Sequence, residues 1–101
     1  MTTWTCKAGD YHRQIALDLD EVSTSGASGV TFRMRPRGGG ALVVNAAGVI
    51  VSATRVSYQF TGTQLDTPDV YLLEAALTYA DGTETVPTVG YVTVVIEAKL
   101  G

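Results

Sequence analysis

The chain is poor in the residues that carry most protein chemistry. It has one cysteine, one histidine and three prolines, and Lys and Arg together number 7 against 10 Asp and Glu. A lone cysteine, Cys6, excludes an internal disulfide and any zinc site built from several cysteines. Its threonine-rich neighbours offer nothing to lower the thiol pKa, so Cys6 reads as a small buried or edge residue and not as a nucleophile. His12, Asp10 and a serine can be assembled on paper into a triad, yet no serine stands in a G-x-S-x-G turn. His12 therefore reads as an exposed polar residue at the start of a strand. Asp18, Asp20 and Glu21 are the densest acidic group. A calcium site needs about six to eight oxygens, and no D-x-D-x-D-G loop is present, so these carboxylates read as a solvated face. No catalytic residue, metal or cofactor is expected, and the chain is not expected to be an enzyme.

Two further absences bear on partners. The net charge is −3 and the pI about 4.8, without the basic excess that marks nucleic-acid binding. No apolar run approaches the roughly 20 residues of a membrane span. The first residues, MTTWTCKAGD, lack the basic and apolar regions of a secretory leader, so synthesis in a cytoplasm is expected.

What is present suits a small β-protein. A chain of 101 residues and 10.6 kDa is one domain by size, spanning 1–101. Folding at this length buries roughly two thirds of the unfolded surface, enough for one core without disulfides. The composition is 46% apolar and only 17% charged, with 11 glycines, which describes a packed globule of strands and turns.

The stretch from Asp69 to Ala98 organises the rest. Tyr71, Leu73, Ala75, Leu77 and Tyr79 recur at every second position, as in a half-buried strand. Val92, Val94 and Ile96 repeat the pattern on the return, with Tyr91, Thr93 and Glu97 on the opposite face. Asp81-Gly82 can supply the positive φ of a hairpin turn, and Glu84 to Gly90, around Pro87, reads as a short extension and a bend. Upstream, Met1 to Ala8 reads as an edge strand with Trp4 covering one end of the core. Residues 11–20 alternate with Ile15, Leu17 and Leu19 inward and Gln14, Ala16, Asp18 and Asp20 outward. Gly29 to Pro36 places Val30, Phe32 and Met34 inward and Thr31, Arg33 and Arg35 outward.

Gly38-Gly39-Gly40 forms a turn. Ala41–Asn45 and Gly48–Ser52 are short strands around an Asn-Ala-Ala-Gly connection. Arg55 to Phe60 turns Val56, Tyr58 and Phe60 inward, and Thr61 to Pro68 is an irregular crossover. About seven to eight strands at this spacing predict an all-β fold, an immunoglobulin-like antiparallel β-sandwich. The intersheet cysteine pair and buried tryptophan of antibody domains are absent, so only the general architecture is implied.

Arg33, Arg35 and Arg37 project from one face and run into the glycine turn. One reading is a solvated face that discourages edge-to-edge pairing. The other is a docking surface for carboxylates, which arginine grips bidentately, with Asp18 and Asp20 of an adjacent copy as partners. No aromatic interleaves with the arginines to stack bases, so nucleic acid is not the expected partner. Tyr91 and Tyr11 are the aromatics left outward, and a sugar-binding platform would have to use them.

Taken together, certain motifs resemble a known family. They are Gly9-Asp10, IALDLDE at 15–21, VTFRMR at 30–35 before a glycine loop, and VSYQF at 56–60. TPDVY at 67–71, TYADGTETVP at 78–87 and GYVTVVI at 90–96 complete the set. This pattern is similar to the small immunoglobulin-like modules of tailed bacteriophages, found at the N-terminus of baseplate upper proteins and as stand-alone virion proteins. The loop at Ser23–Gly29 is shorter than is usual there. The resemblance implies a non-enzymatic structural or adaptor role in a virion, in the tail or baseplate. It also implies contacts with other phage structural proteins, as a homo-oligomer or in a lattice. The chain stops at Gly101 with no C-terminal stalk or receptor-binding part, so a linker role within a long fibre is not expected. Capsid-surface decoration and carbohydrate binding at the host surface are the alternatives. Arg33, Arg35, Arg37, Asp18, Asp20 and Tyr91 are the expected interface residues, and the expected location is the virion after synthesis in the host cytoplasm.

Overall fold

The structure is a computed structural model that describes residues 3–10, 13–19, 22–87 and 90–100. Tyr11, His12, Asp20 and Glu21, each assigned a place above, lie outside the described residues. The strands are β1 (Thr3–Lys7), β2 (Gln14–Asp18), β3 (Gly29–Pro36), β4 (Val44–Ala47), β5 (Val49–Ser52), β6 (Arg55–Gln59), β7 (Asp69–Tyr79), β8 (Gly82–Val86) and β9 (Val92–Glu97). They form two sheets. The larger has the order β1-β9-β7-β3-β4, with β8 also pairing β7, and the smaller has the order β2-β6-β5.

The long strand is the frame, as its alternation predicts. β3 lies antiparallel along one edge of β7, from Gly29↔Thr78 to Pro36↔Tyr71. The other edge is shared: β9 pairs the first half of β7 and β8 the second. β1 closes this sheet by lying parallel to β9. Inward side chains of both sheets then meet in one core. Ile15, Leu17 and Leu19 of the smaller sheet and Val30, Phe32, Met34, Tyr71, Leu73, Leu77, Val94 and Ile96 of the larger are all buried in it.

A row of aromatic rings crosses this core. Trp4 sits 5.3 Å from Phe60, Phe60 meets Tyr58 edge-on at 5.3 Å, and Tyr58 stacks on Phe32 at 5.5 Å. The row links β1, β6 and β3, so it ties both sheets together from one side of the sandwich to the other. Such pairs add to the stabilisation from burial alone. Trp4 is half-buried at its end, where it covers the core as its position predicts.

Several local expectations need correction. Among the described residues the strands number nine, because the segment after the hairpin, read as a short extension and a bend, contains a regular strand, β8. The hairpin loop is Ala80-Asp81, since Tyr79 pairs with Gly82. Gly82 opens β8 with a φ of 155°. Ala41–Val43 precede the strand they were assigned to, and β4 begins at Val44. Asn45-Ala46-Ala47 is not a connection but most of β4, paired with β3. Between β4 in the larger sheet and β5 in the smaller the chain crosses in one residue, Gly48. The glycine turn does behave as expected: Gly39 and Gly40 adopt φ of 106° and 119°, angles that side chains other than glycine's rarely allow.

Thr61–Pro68 is an irregular crossover that buries Leu65 beneath it. It is held by polar anchors. The Tyr58 hydroxyl donates to Gln64 Oε1 at 2.9 Å, and the Thr61 N–H donates to the same oxygen at 2.8 Å. The Tyr71 hydroxyl donates to the Thr67 carbonyl at 2.8 Å, across the turn that leads into β7. Burial raises the Tyr71 phenol pKa, and the Asp69 carboxylate adds to the rise. The neutral phenol is therefore favoured in the folded chain. Its contribution is complete below the ordinary value of about 10 and is lost as pH rises through the folded value. Tyr71→Phe should cost about 1 kcal/mol in urea unfolding at neutral pH. It should also remove this component of the alkaline fall in stability, which the same titration repeated above pH 9 would show.

Candidate functional site

The outer face of the larger sheet carries the most distinctive cluster of side chains. β3 is an inner strand between β7 and β4, and its alternation turns Arg33 and Arg35 away from the core. Arg33 lies opposite Glu74 on β7 and Asn45 on β4, while Arg35 lies opposite Leu72. Tyr91 comes just before β9 and packs beside them. Together with Leu42 from the loop before β4, these residues line an open depression of about 200 Å³ made by Arg33, Arg35, Leu42, Leu72, Glu74 and Tyr91.

Among the described residues, neither Arg33 nor Arg35 makes an ion pair. Two guanidinium groups against one carboxylate leave the depression positive on a chain of net charge −3. Leu42, Leu72 and Tyr91 add apolar walls. An acidic side chain beside an apolar one fits such a surface, because arginine can grip the carboxylate with two hydrogen bonds while the neighbour covers the leucines.

The expected interface residues divide. Arg33, Arg35 and Tyr91 come together. Arg37 does not join them: β3 ends at Pro36, and Arg37 lies in the turn beyond, where its N–H extends the ladder to the Val70 carbonyl at 2.8 Å. Asp18 is on the opposite sheet, where its Oδ1 accepts from Arg55 Nε at 2.9 Å. Asp18 thus has a partner within its own chain. Contact with Arg33 of another copy would require a head-to-tail arrangement. The arginines also cannot guard a sheet edge, since β3 is flanked on both sides. Leu72 and Glu74 were legible as the outward positions of the long strand, whereas nothing in the sequence marked Leu42.

Elsewhere the chemistry is quiet. Cys6 is buried, and its thiol pKa is raised first by that burial and then by the Asp10 carboxylate, against an opposing effect of Arg13. The Asp10 carboxyl is held below its ordinary value, chiefly by its hydrogen bond from Arg13. Among the described residues no group of three or more His, Cys, Asp and Glu is placed to hold a metal ion. No protein-family model matches the chain, and no curated protein matches it in sequence.

Proposed function

We propose that the chain is an immunoglobulin-like structural module of a tailed-phage virion, non-enzymatic, that docks other structural proteins through the outer face of its larger sheet. The observation that carries this reading is the depression at Arg33, Arg35 and Tyr91. It combines unpaired arginines with apolar walls, the composition that protein interfaces favour. The immunoglobulin-like part is supported by the distribution of strands. β2, β6 and β5 form one sheet, and β9, β7, β3 and β4 lie in the other, as the B, E, D and G, F, C, C′ strands of a variable-type sandwich do. The Tyr71–Thr67 hydrogen bond adds support, since a tyrosine at the start of the equivalent strand makes the same upstream bond in such domains. The virion assignment rests on the resemblance of the VTFRMR, TYADGTETVP and GYVTVVI segments to phage modules.

The tail or baseplate is the favoured position and the capsid surface the alternative. Carbohydrate binding draws on Tyr91 alone in this depression, where a sugar platform wants several exposed rings. The test is to separate purified particles into heads and tails and to blot each for the protein. Signal confined to tails supports the baseplate position, signal on heads makes it a decoration protein, and absence from both overturns the virion reading. In the same assay Arg33→Glu/Arg35→Glu should leave the domain folded and reduce its incorporation at least tenfold. Incorporation at the normal level would remove the role given to this face.

A further inference from the structure

The segment from Gly38 to Thr54 contains no charged residue. It supplies β4 and β5, the outer strands of the two sheets, which adjoin because the chain passes between them through Gly48. Leu42, Val43, Val49 and Val51 are 43, 39, 60 and 55% exposed, and they are four of the six exposed large hydrophobics among the described residues. The edges on the far side of the sandwich differ. There β1 carries the Lys7–Glu97 pair, β2 carries the Asp18–Arg55 pair, and Asp10–Arg13 lies between them. An open strand edge presents unpaired N–H and C=O groups that proteins ordinarily guard with charge. One side of this sandwich is guarded in that way and the other is not.

We propose that β5 pairs antiparallel with β5 of a second copy, joining the two three-stranded sheets into one continuous sheet. A second copy fits better than another partner because a two-fold contact brings one patch against itself. Self-contact of a patch carrying one sign of charge sets like charges opposite each other. Gly38–Thr54 meets itself with no such opposition. A two-fold axis normal to the sheet makes the strands antiparallel and leaves Val49 and Val51 of both copies on one outer face. There they become cross-strand neighbours, and β-branched pairs in that position stabilise a sheet. The strand is four residues long, its pairing with β6 shifts register between Ile50 and Ser52, and the Ser52 carbonyl already accepts from the Thr24 hydroxyl at 2.8 Å. The contact is therefore short and the dimer concentration-dependent.

Leu42 lines the arginine depression, but β5 lies in the other sheet, and the test keeps the two surfaces apart. Sedimentation equilibrium of the full chain from about 10 µM to about 1 mM should show a shift from monomer to dimer mass. Val49→Lys/Val51→Lys changes only outward side chains. It should weaken association at least tenfold, and Arg33→Glu/Arg35→Glu should leave it unchanged. Amide exchange at Val49 and Val51 in the unmodified protein should slow as concentration rises, a readout that needs no variant. A monomer mass throughout the range overturns the proposal. So does a dimer that survives the lysine pair, or amide exchange at Val49 and Val51 that is independent of concentration.

Discussion

Gly48→Ala should lower the stability of the domain by about 3 kcal/mol, a large loss for one methyl group. The reason is a close approach and not a special dihedral angle. A Cβ on Gly48 would lie 2.5 Å from Phe32 Cε1, 2.6 Å from Phe32 Cδ1 and 2.6 Å from the Ser57 carbonyl oxygen. Two of those atoms belong to a fully buried ring and the third to the backbone of the central strand of the smaller sheet, so neither neighbour can move freely. The Gly48 N–H also donates to the Val30 carbonyl at 2.9 Å, which holds the crossing against β3. The backbone preference for alanine over glycine in a strand offsets only about 0.5–1 kcal/mol. Urea unfolding followed by far-ultraviolet circular dichroism should show a lower midpoint at unchanged slope. A midpoint within error of the unsubstituted protein would mean that the crossing is looser than this packing.

Phe32→Ala should cost about 3–5 kcal/mol. Phe32 is the largest of the fully buried side chains, stacks on Tyr58 at 5.5 Å and closes the aromatic row that begins at Trp4. Truncation leaves a cavity between the two sheets that strands pinned on both sides cannot collapse into. Thermal unfolding should show a melting temperature lower by about 4–8 °C for each kcal/mol lost. The two substitutions should not be additive, because they share a contact. In the Phe32→Ala background the ring is gone, so Gly48→Ala should there cost only what the Ser57 carbonyl exacts. Full additivity in the double variant would show that the ring is not what excludes a side chain at position 48.

The candidate site shows how far alternation can be read. Arg33 and Arg35 point outward because Val30, Phe32 and Met34 point inward, and that parity is local. Arg37 breaks the series only because the strand stops at Pro36, a boundary that the run of arginines concealed. Asp18 was correctly placed on an outer face, yet which outer face depended on the assignment of β2 to the smaller sheet. The tyrosine anchor had a signal as well. Leu65, Tyr71 and Leu73 are all buried around one turn, and a hydroxyl brought into a core needs an acceptor, here the Thr67 carbonyl.

By itself the sequence determined that this protein is all-β, which residues face its core, and where most strands lie, since each of these follows from a period of two and from turn residues within a few positions. Only the tertiary structure decided that β4 and β5 belong to different sheets, that β8 and β9 share one edge of β7, and that Leu42 and Tyr91 flank the same two arginines. These are facts about distant residues. They follow from how apolar faces match across the core and from a single glycine thin enough to let the chain pass between the layers, neither of which leaves a periodic mark in the chain.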